Sequence, residues 1–381
     1  QVIWVGTDDG NIQVTKNGGK SWDNTTVNLP DEVPDNTWVY HIEASVHGEG
    51  TAYAVLEGHT SGDFNTYVYK TTDYGTTWTS IASDEIYGFA RSIQEDYENE
   101  DLLFLGTEFG LYITINGGKN WSQFTNNMPP VAVHFLELQK QTNDLVMGTH
   151  GRGVIILDDI TPLRKLSQEV LAKDVHFFES KPTIMEEASP FGGTATEREF
   201  VGPNSTNDAK ITYYLKKKHI FGKMLMEIQD LDGNKLIELT PGKSKGINVV
   251  TWNGLIKQPK LAKGKSMAFG GFTSPRVPAG TYKVIMTKGK ETYSSELTFV
   301  NDPNSLLTEE ERIANHEATI KLYNMSQELA YMVYQIDEIL VKAEEVKAQG
   351  GSKRADGVIN DLMNLKKKLV TTTGDNYVDT E

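Results

Sequence analysis

The chain has 381 residues, 38% hydrophobic and 23% charged, with 34 glycines and no cysteine; a single core does not grow to that size, so two or three domains are expected. The missing cysteine excludes a disulfide framework, a thiol nucleophile and a cysteine-ligated metal, and no apolar run approaches the roughly 20 residues of a membrane-crossing helix. The net charge of −15 argues against a general nucleic-acid or anionic-membrane ligand, and it sits in the first part: residues 1–160 hold 7 basic against 23 acidic residues, the remainder 30 against 29.

In chain order, the first signal is a short motif that occurs three times: Thr15-x-Asn17-x-Gly19-x-Ser21-Trp22, Thr71-x-Asp73-x-Gly75-x-Thr77-Trp78 and Thr114-x-Asn116-x-Gly118-x-Asn120-Trp121. The copies are 56 and 43 residues apart, near the period of a four-stranded propeller blade. Asp or Asn is expected to accept backbone N–H bonds two residues on in an Asx turn, and Gly to supply a positive φ. Trp is expected to anchor the turn between sheets.

A strand, Gly-marked turn and strand precede the first and third copies and a remnant of the motif: Ile3–Val14, Leu103–Ile113 and Leu145–Leu157. In the last of these the motif has decayed, Asp159 being followed by Thr161-Pro162. Glu108, His150 and Arg152 fall in these turns and are candidate rim contacts, since functional loops gather on such rims. Three to four blades are fewer than closed propellers use, so the blades are expected to be the C-terminal part of a larger ring.

The motif resembles the Asp box, or BNR repeat, of sialidases, other glycosidases and sortilin-type propellers. The run from Gly106-Thr107-Glu108-Phe109-Gly110 through Gly148-Thr149-His150-Gly151-Arg152-Gly153 to Asp159 is more narrowly similar to bacterial sortilin-like proteins of the Bacteroidota type. The resemblance covers residues 1–165 and implies propeller blades in a secreted, periplasmic or cell-surface protein. It is shared by enzymes and by pure binding proteins.

Residues 166–204 read as a linker, with a Ser189-Pro190-Phe191-Gly192-Gly193 stretch. Period-two strands follow at 210–215, 223–229, 235–240, 247–252, 281–288 and 291–300, with hairpin turns at Asp232-Gly233-Asn234 and Lys288-Gly289-Lys290. Residues 205–303 are therefore expected to form a β-sandwich. Gly246–Gly254 and Val277–Val284 resemble the immunoglobulin-like domain of the flagellar hook-capping protein, which implies an accessory or spacer role. Between them a lysine-bearing insert runs over 255–276.

Residues 304–371 switch to helical period. Thr308 to Glu311 is a capping-box signature, and Ala318, Leu322, Met325, Leu329, Met332, Ile336, Ile339, Ala343 and Val346 follow in steps of four and three, a coiled-coil seam. Gly350-Gly351 ends the helix, and Val358, Leu362, Leu365 and Leu369 repeat the spacing. A helical hairpin results, with a shorter second arm. Leu322, Met325, Leu329, Met332, Ile336 and Ile339 are the candidate docking seam, and 372–381 is a tail.

The fold class is thus mainly β: a partial propeller of Asp-box blades, an immunoglobulin-like sandwich, then a helical hairpin. No catalytic residue is assigned. A glycosidase needs two carboxylates flanking one cleft, and the acidic blades offer many pairs without singling one out. Sialidase chemistry needs an arginine clamp, whereas residues 1–160 hold only Arg91 and Arg152. His41, His47 and His59 lack metal-site spacing, so no metal or cofactor is expected. The function expected is a non-catalytic protein-binding or scaffold component of a bacterial envelope or secreted complex. A protein partner, and possible glycan, would be its ligands, without nucleic acid or direct membrane insertion. The alternatives are a glycoside hydrolase with its carboxylates mainly on further blades, and an accessory subunit of a secretion or surface-assembly complex.

Overall fold

The computed structural model describes residues 1–186, 208–262, 274–350 and 353–370. Ser189–Gly193, the middle of the lysine-bearing insert and the 372–381 tail lie outside the described residues. The chain divides into two compact units, Gln1–Ala172 and Lys173–Glu381.

The first unit is four antiparallel sheets in succession. Strands β1 (Ile3–Gly6), β2 (Ile12–Thr15) and β3 (Asp23–Asn24) form the first; β4 (Trp38–Ala44), β5 (Ala52–Glu57), β6 (Tyr67–Thr71) and β7 (Thr79–Ser80) the second. The third is β8 (Ala90–Glu95), β9 (Leu103–Thr107), β10 (Gly110–Thr114) and β11 (Ser122–Phe124), and the fourth β12 (Val133–Gln139), β13 (Asp144–Thr149) and β14 (Val154–Leu157). Each sheet is a simple up-and-down meander. The first strands β4, β8 and β12 pack beside one another, as the inner strands of propeller blades do, so the unit is a partial β-propeller. Two short helices, α1 (Thr161–Arg164) and α2 (Gln168–Ala172), close it.

The repeated motif occupies the turns after β2, β6 and β10, the last strand but one of the first three sheets, one net of bonds made three times. Thr15, Thr71 and Thr114 hydroxyls donate to Asn17, Asp73 and Asn116 at 2.9, 2.9 and 2.8 Å. Those carboxyl or amide oxygens accept the backbone N–H of Ser21, Thr77 and Asn120 at 3.0, 2.9 and 3.0 Å. The bond therefore spans four residues, not the two expected of an Asx turn, because the threonine hydroxyl takes the nearer place. Gly118 has φ +90°, and a Cβ there would lie 2.8 Å from Ile81 of the preceding blade. Trp121 is buried with its Nε1 donating to Ile81 O at 2.7 Å, and Trp78 packs edge-on against Trp4, 5.9 Å between centroids. Trp22 has no preceding sheet in this chain and is 39% exposed. At the decayed copy, Asp159 accepts from the backbone N and the hydroxyl of Thr161, two residues on.

The acidic run after β8 is not simply solvated. Asp96 is fully buried and accepts from Arg164 Nε and Nη2 at 2.9 and 2.8 Å. Arg164 also donates to Glu98 and Asn143 and lies over Tyr97, 4.5 Å from the ring centroid. A paired, multiply bonded buried charge of this kind ties α1 to the blades.

In the second unit, β15 (Val175–Phe177), β17 (Ala209–Leu215) and β20 (Gly246–Trp252) form one sheet. The other is ordered β16 (Thr183–Met185), β22 (Glu291–Asn301), β21 (Gly280–Lys288), β18 (Met224–Gln229) and β19 (Lys235–Leu239), with β16 parallel to β22. Apolar residues from both sheets share one core around Trp252, Tyr282 and Phe299, which makes a β-sandwich. The six expected strands form within one residue of their expected bounds. Two more lie in the stretch read as a linker: β15 and β16 are three residues each, too short for a periodic pattern to mark them.

α3 (Glu309–Ala348) and α4 (Lys353–Leu369) form the hairpin. Thr308 caps α3, its hydroxyl accepting from Glu311 N while Glu311 accepts from Thr308 N. The buried stripe is Val333, Ile336, Leu340 and Ala343, and Lys366 pairs with Asp337 and Lys347 with Asp356. Of the expected seam, Ile336 is buried and Leu329 half-buried, whereas Leu322, Met325, Met332 and Ile339 are exposed. Val333 and Leu340 replace Met332 and Ile339 because α3 carries apolar residues on both flanks of the stripe, so spacing alone does not select the face.

Candidate binding site

The first strands of the second, third and fourth blades share a defect. Their pairing skips one residue at the same level: between Val39 and His41, between Ala90 and Ser92, and between Val133 and Phe135. The bulged residues are Tyr40, Arg91 and His134. A bulge leaves one residue outside the ladder and re-aims its side chain. The next strand of each blade ends beside the bulge, and the equivalent position there is Glu57, the last residue of β5, Glu108, just after β9, or His150, just after β13. Two equivalent positions in three consecutive blades thus supply six side chains.

These six form one connected cluster. Arg91, 9% exposed, donates through Nη1 to Glu57 Oε2 at 3.0 Å and through Nη2 to Glu108 Oε2 at 3.3 Å. Its guanidinium lies 5.1 Å from the Tyr40 ring centroid and 4.7 Å from that of Phe89. Tyr40 Oη is 3.4 Å from His134 Nδ1, and His134 stacks on His150 at 5.3 Å. Glu57 is buried and also contacts His59, whose ring stacks on Phe89 at 5.0 Å. Burial, then Arg91 and His150, lower the His134 pKa from its ordinary value, which favours the neutral ring. The Arg91 Nε is buried and meets no acceptor among the described residues, a cost that packing of the guanidinium between two rings offsets.

Around this cluster lies an aromatic surface. Trp38 is 5.1 Å from Tyr40, Phe64 6.3 Å from Phe89, and Tyr87 4.7 Å from Phe109. Tyr87 is 69% and Phe109 40% exposed. Gly88 makes room for this pair: it has φ +82°, and a Cβ would lie 2.5 Å from the Phe109 ring. All these residues occupy the starts of first strands or the turns after second strands, one end of the blades. The Asp boxes, after β2, β6 and β10, occupy the other.

Deeper along the same strands, Glu43, Gln94 and Glu137 each stand three residues past a bulge. Burial, then Glu95 and Glu137, push Glu43 up to about 7. Glu95 accepts from Tyr53 Oη, Ser45 Oγ and Val46 N at 2.8, 3.0 and 3.0 Å, locking the second blade to the third.

Of the three candidate rim residues, the structure brings Glu108 and His150 into the cluster and leaves Arg152 exposed in the β13–β14 turn. Tyr40, Glu57, Arg91 and His134 also belong to the cluster, and no motif in the sequence marks them. Aligning the third and fourth blades on Gly106-Thr107 and Gly148-Thr149 puts Glu108 and His150 at one repeat position, whereas the second blade reads Val55-Leu56 there, so only the strand pairing equates Glu57 with them. Neither His41, half-buried in β4, nor His47, bonded to Asp96 O at 2.8 Å, joins the cluster. Among the described residues no group of three potential ligand side chains could hold a metal, and no helix is long and apolar enough to cross a membrane.

No protein-family model matches the chain, and no curated protein does. Solved structures do show partial likeness. YCF48 bound to a D1 peptide is 19% identical with a TM-score of 0.30, covering 42% of this chain and 52% of that one. The GH74 xyloglucanase from Xanthomonas campestris is 11% identical with a TM-score of 0.35, covering 77% of this chain and 42% of that one. The extracellular domain of a one-component system from B. thetaiotaomicron is 11% identical with a TM-score of 0.30, covering 79% and 36%. The chain therefore spans about half or less of each. None of these likenesses bears on function.

Proposed function

We propose that the chain is a non-catalytic binding or scaffold component of a bacterial cell envelope or secreted complex, and that the aromatic end of its blades receives a protein partner. The observation that carries this reading is the cluster itself, six side chains from equivalent positions of three blades beneath a surface of exposed aromatic rings. Rigid aromatic side chains with arginine are the usual anchors of protein interfaces. The Asp-box resemblance supports a sortilin-like propeller and an extracytoplasmic setting. An immunoglobulin-like sandwich is supported by the two-sheet core and by Tyr282, whose Oη donates to Pro278 O at 2.6 Å, as a tyrosine corner does. The exposed Leu322, Met325, Met332 and Ile339 on α3 support a scaffold role.

The geometry argues against a glycosidase at this site. Glu57 and Glu108 lie near one another, but the Arg91 guanidinium fills the space between them, where a sugar ring and a water would have to sit. The test is cross-linking in the native host with a benzophenone side chain at position 87 or, on the Asp-box end, at position 119. A discrete protein adduct is expected from position 87 only, and Phe109→Ala should abolish it. No adduct, or equal adducts from both positions, would overturn the reading; so would sustained turnover of polysaccharides by the purified protein.

A further inference from the structure

We infer that the aromatic end of the blades takes a polypeptide segment bearing arginine or lysine, its cation held over the Tyr87–Phe109 rings and against the Glu108 carboxylate. This rests on the reading of that end as a binding face and adds the chemistry of what binds there.

The first argument is how charge is divided between the two ends. Residues 1–160 contain five lysines, Lys16, Lys20, Lys70, Lys119 and Lys140. All five lie in the boxes, at the end of a third strand or in a turn after a first strand, which is the Asp-box end. The turns of the aromatic end instead carry Asp8, Asp9, Asp63 and Glu108. The arginines there are Arg152 and Arg91, and Arg91 is already bridged by Glu57 and Glu108. A cationic segment approaching this end meets carboxylates and no lysine, and the net −16 of residues 1–160 favours its approach at low salt.

The second argument is local. Arg91 shows what these blades do with a guanidinium: two aromatic faces at 5.1 and 4.7 Å, and a carboxylate on each amino group. The same elements recur one layer out and unfilled by Arg91. Tyr87 and Phe109 offer exposed faces, and Glu108, bonded to Arg91 through Oε2 and 35% exposed, stands next to Phe109 in the chain. A planar cation suits rings and carboxylate together.

The experiment uses the whole protein and three labelled nonapeptides of Gly and Ser, with two central arginines, two citrullines or two glutamates. Citrulline keeps the planar shape and part of the N–H donor set and removes the charge. The arginine peptide should bind saturably and about 10-fold more tightly than the citrulline peptide. Glu108→Gln should weaken it about fivefold, and Tyr87→Ala with Phe109→Ala about 10-fold or more, each with the fold checked by thermal melting. Equal binding of arginine and citrulline peptides, both lost with Phe109→Ala, would overturn the charge assignment and leave the binding face standing. If an oligosaccharide binds that face and the arginine peptide does not, a glycan is the ligand and the inference is wrong. No binding of any probe, together with no adduct from position 87, would remove both readings.

Discussion

Glu43→Gln is the substitution whose effect the structure specifies most closely. Glu43 lies on β4, accepting from Gln94 Nε2 at 2.6 Å, with Glu95 held beside it by three donors and Glu137 on the next strand but one. Burial and these two carboxylates raise its pKa from 4.5 to about 7. Between those values the folded protein keeps a proton that the unfolded chain has released. Stability therefore falls as pH rises through that window and is unaffected by this group below it. A shift of about 2.5 units is worth at most about 3 kcal/mol, and water reaching the edge of the site lowers that to about 1–3 kcal/mol. Glutamine cannot ionise, and its carboxamide oxygen still takes the Gln94 bond.

Glu43→Gln should therefore be about as stable as the parent near pH 4.5 and about 1–3 kcal/mol more stable near pH 8.5. Urea unfolding followed by tryptophan fluorescence measures this for the first unit, since Trp4, Trp22, Trp38, Trp78 and Trp121 lie there and only Trp252 in the second. The difference between variant and parent at each pH is the quantity to read, because other carboxylates titrate equally in both. A difference independent of pH, or a variant less stable than the parent at about pH 8.5, would refute the argument that Glu43 ionises against Glu95 and Glu137.

Two further substitutions probe other parts of the first unit. Arg164→Met strands the fully buried Asp96 carboxylate and should cost about 3–5 kcal/mol in the same urea experiment, with Asp96→Asn in the same chain restoring more than half of the loss. Gly88→Ala places a methyl group against the Phe109 ring at a φ of +82°. It should cost about 1–2 kcal/mol, and should weaken arginine-peptide binding as Phe109→Ala does.

What the sequence made legible were features that recur with a fixed period. The Asp box repeats because the turns after β2, β6 and β10 each demand one threonine, one Asp or Asn, one positive-φ glycine and one tryptophan. The sandwich strands alternate, and α3 announces itself by Thr308 and Glu311. The binding cluster was not legible for a physical reason: a bulge is a property of pairing between strands, so nothing in the spelling around Tyr40, Arg91 or His134 marks it. The face of α3 was misread because its apolar residues form more than one stripe, and the choice between Met332 and Val333 is made by α4. β15 and β16 were missed because three residues pairing with a long strand need no pattern of their own.

The two ends of the blades obey different rules, and the difference separates scaffold from site. At the box end, equivalent positions carry nearly the same residue in each copy, since each hydroxyl and carboxyl is consumed by backbone N–H groups of its own turn. At the other end the backbone repeats as faithfully, bulge for bulge, yet the residues are Tyr, Arg and His at one position and Glu, Glu and His at the next. Backbone geometry does not require any of these six, because a bulged residue makes no ladder bond and a turn residue beside it tolerates most side chains. Their contacts run instead from side chain to side chain, within a blade at Arg91–Glu108 and His134–His150 and between blades at Arg91–Glu57, Arg91–Tyr40 and Tyr40–His134. A repeat that fixes the backbone while leaving the side chains free to differ can present an asymmetric surface on a nearly symmetric frame. An exposed layer of aromatic rings built on that frame is rigid before any partner arrives, which reduces the ordering cost of binding.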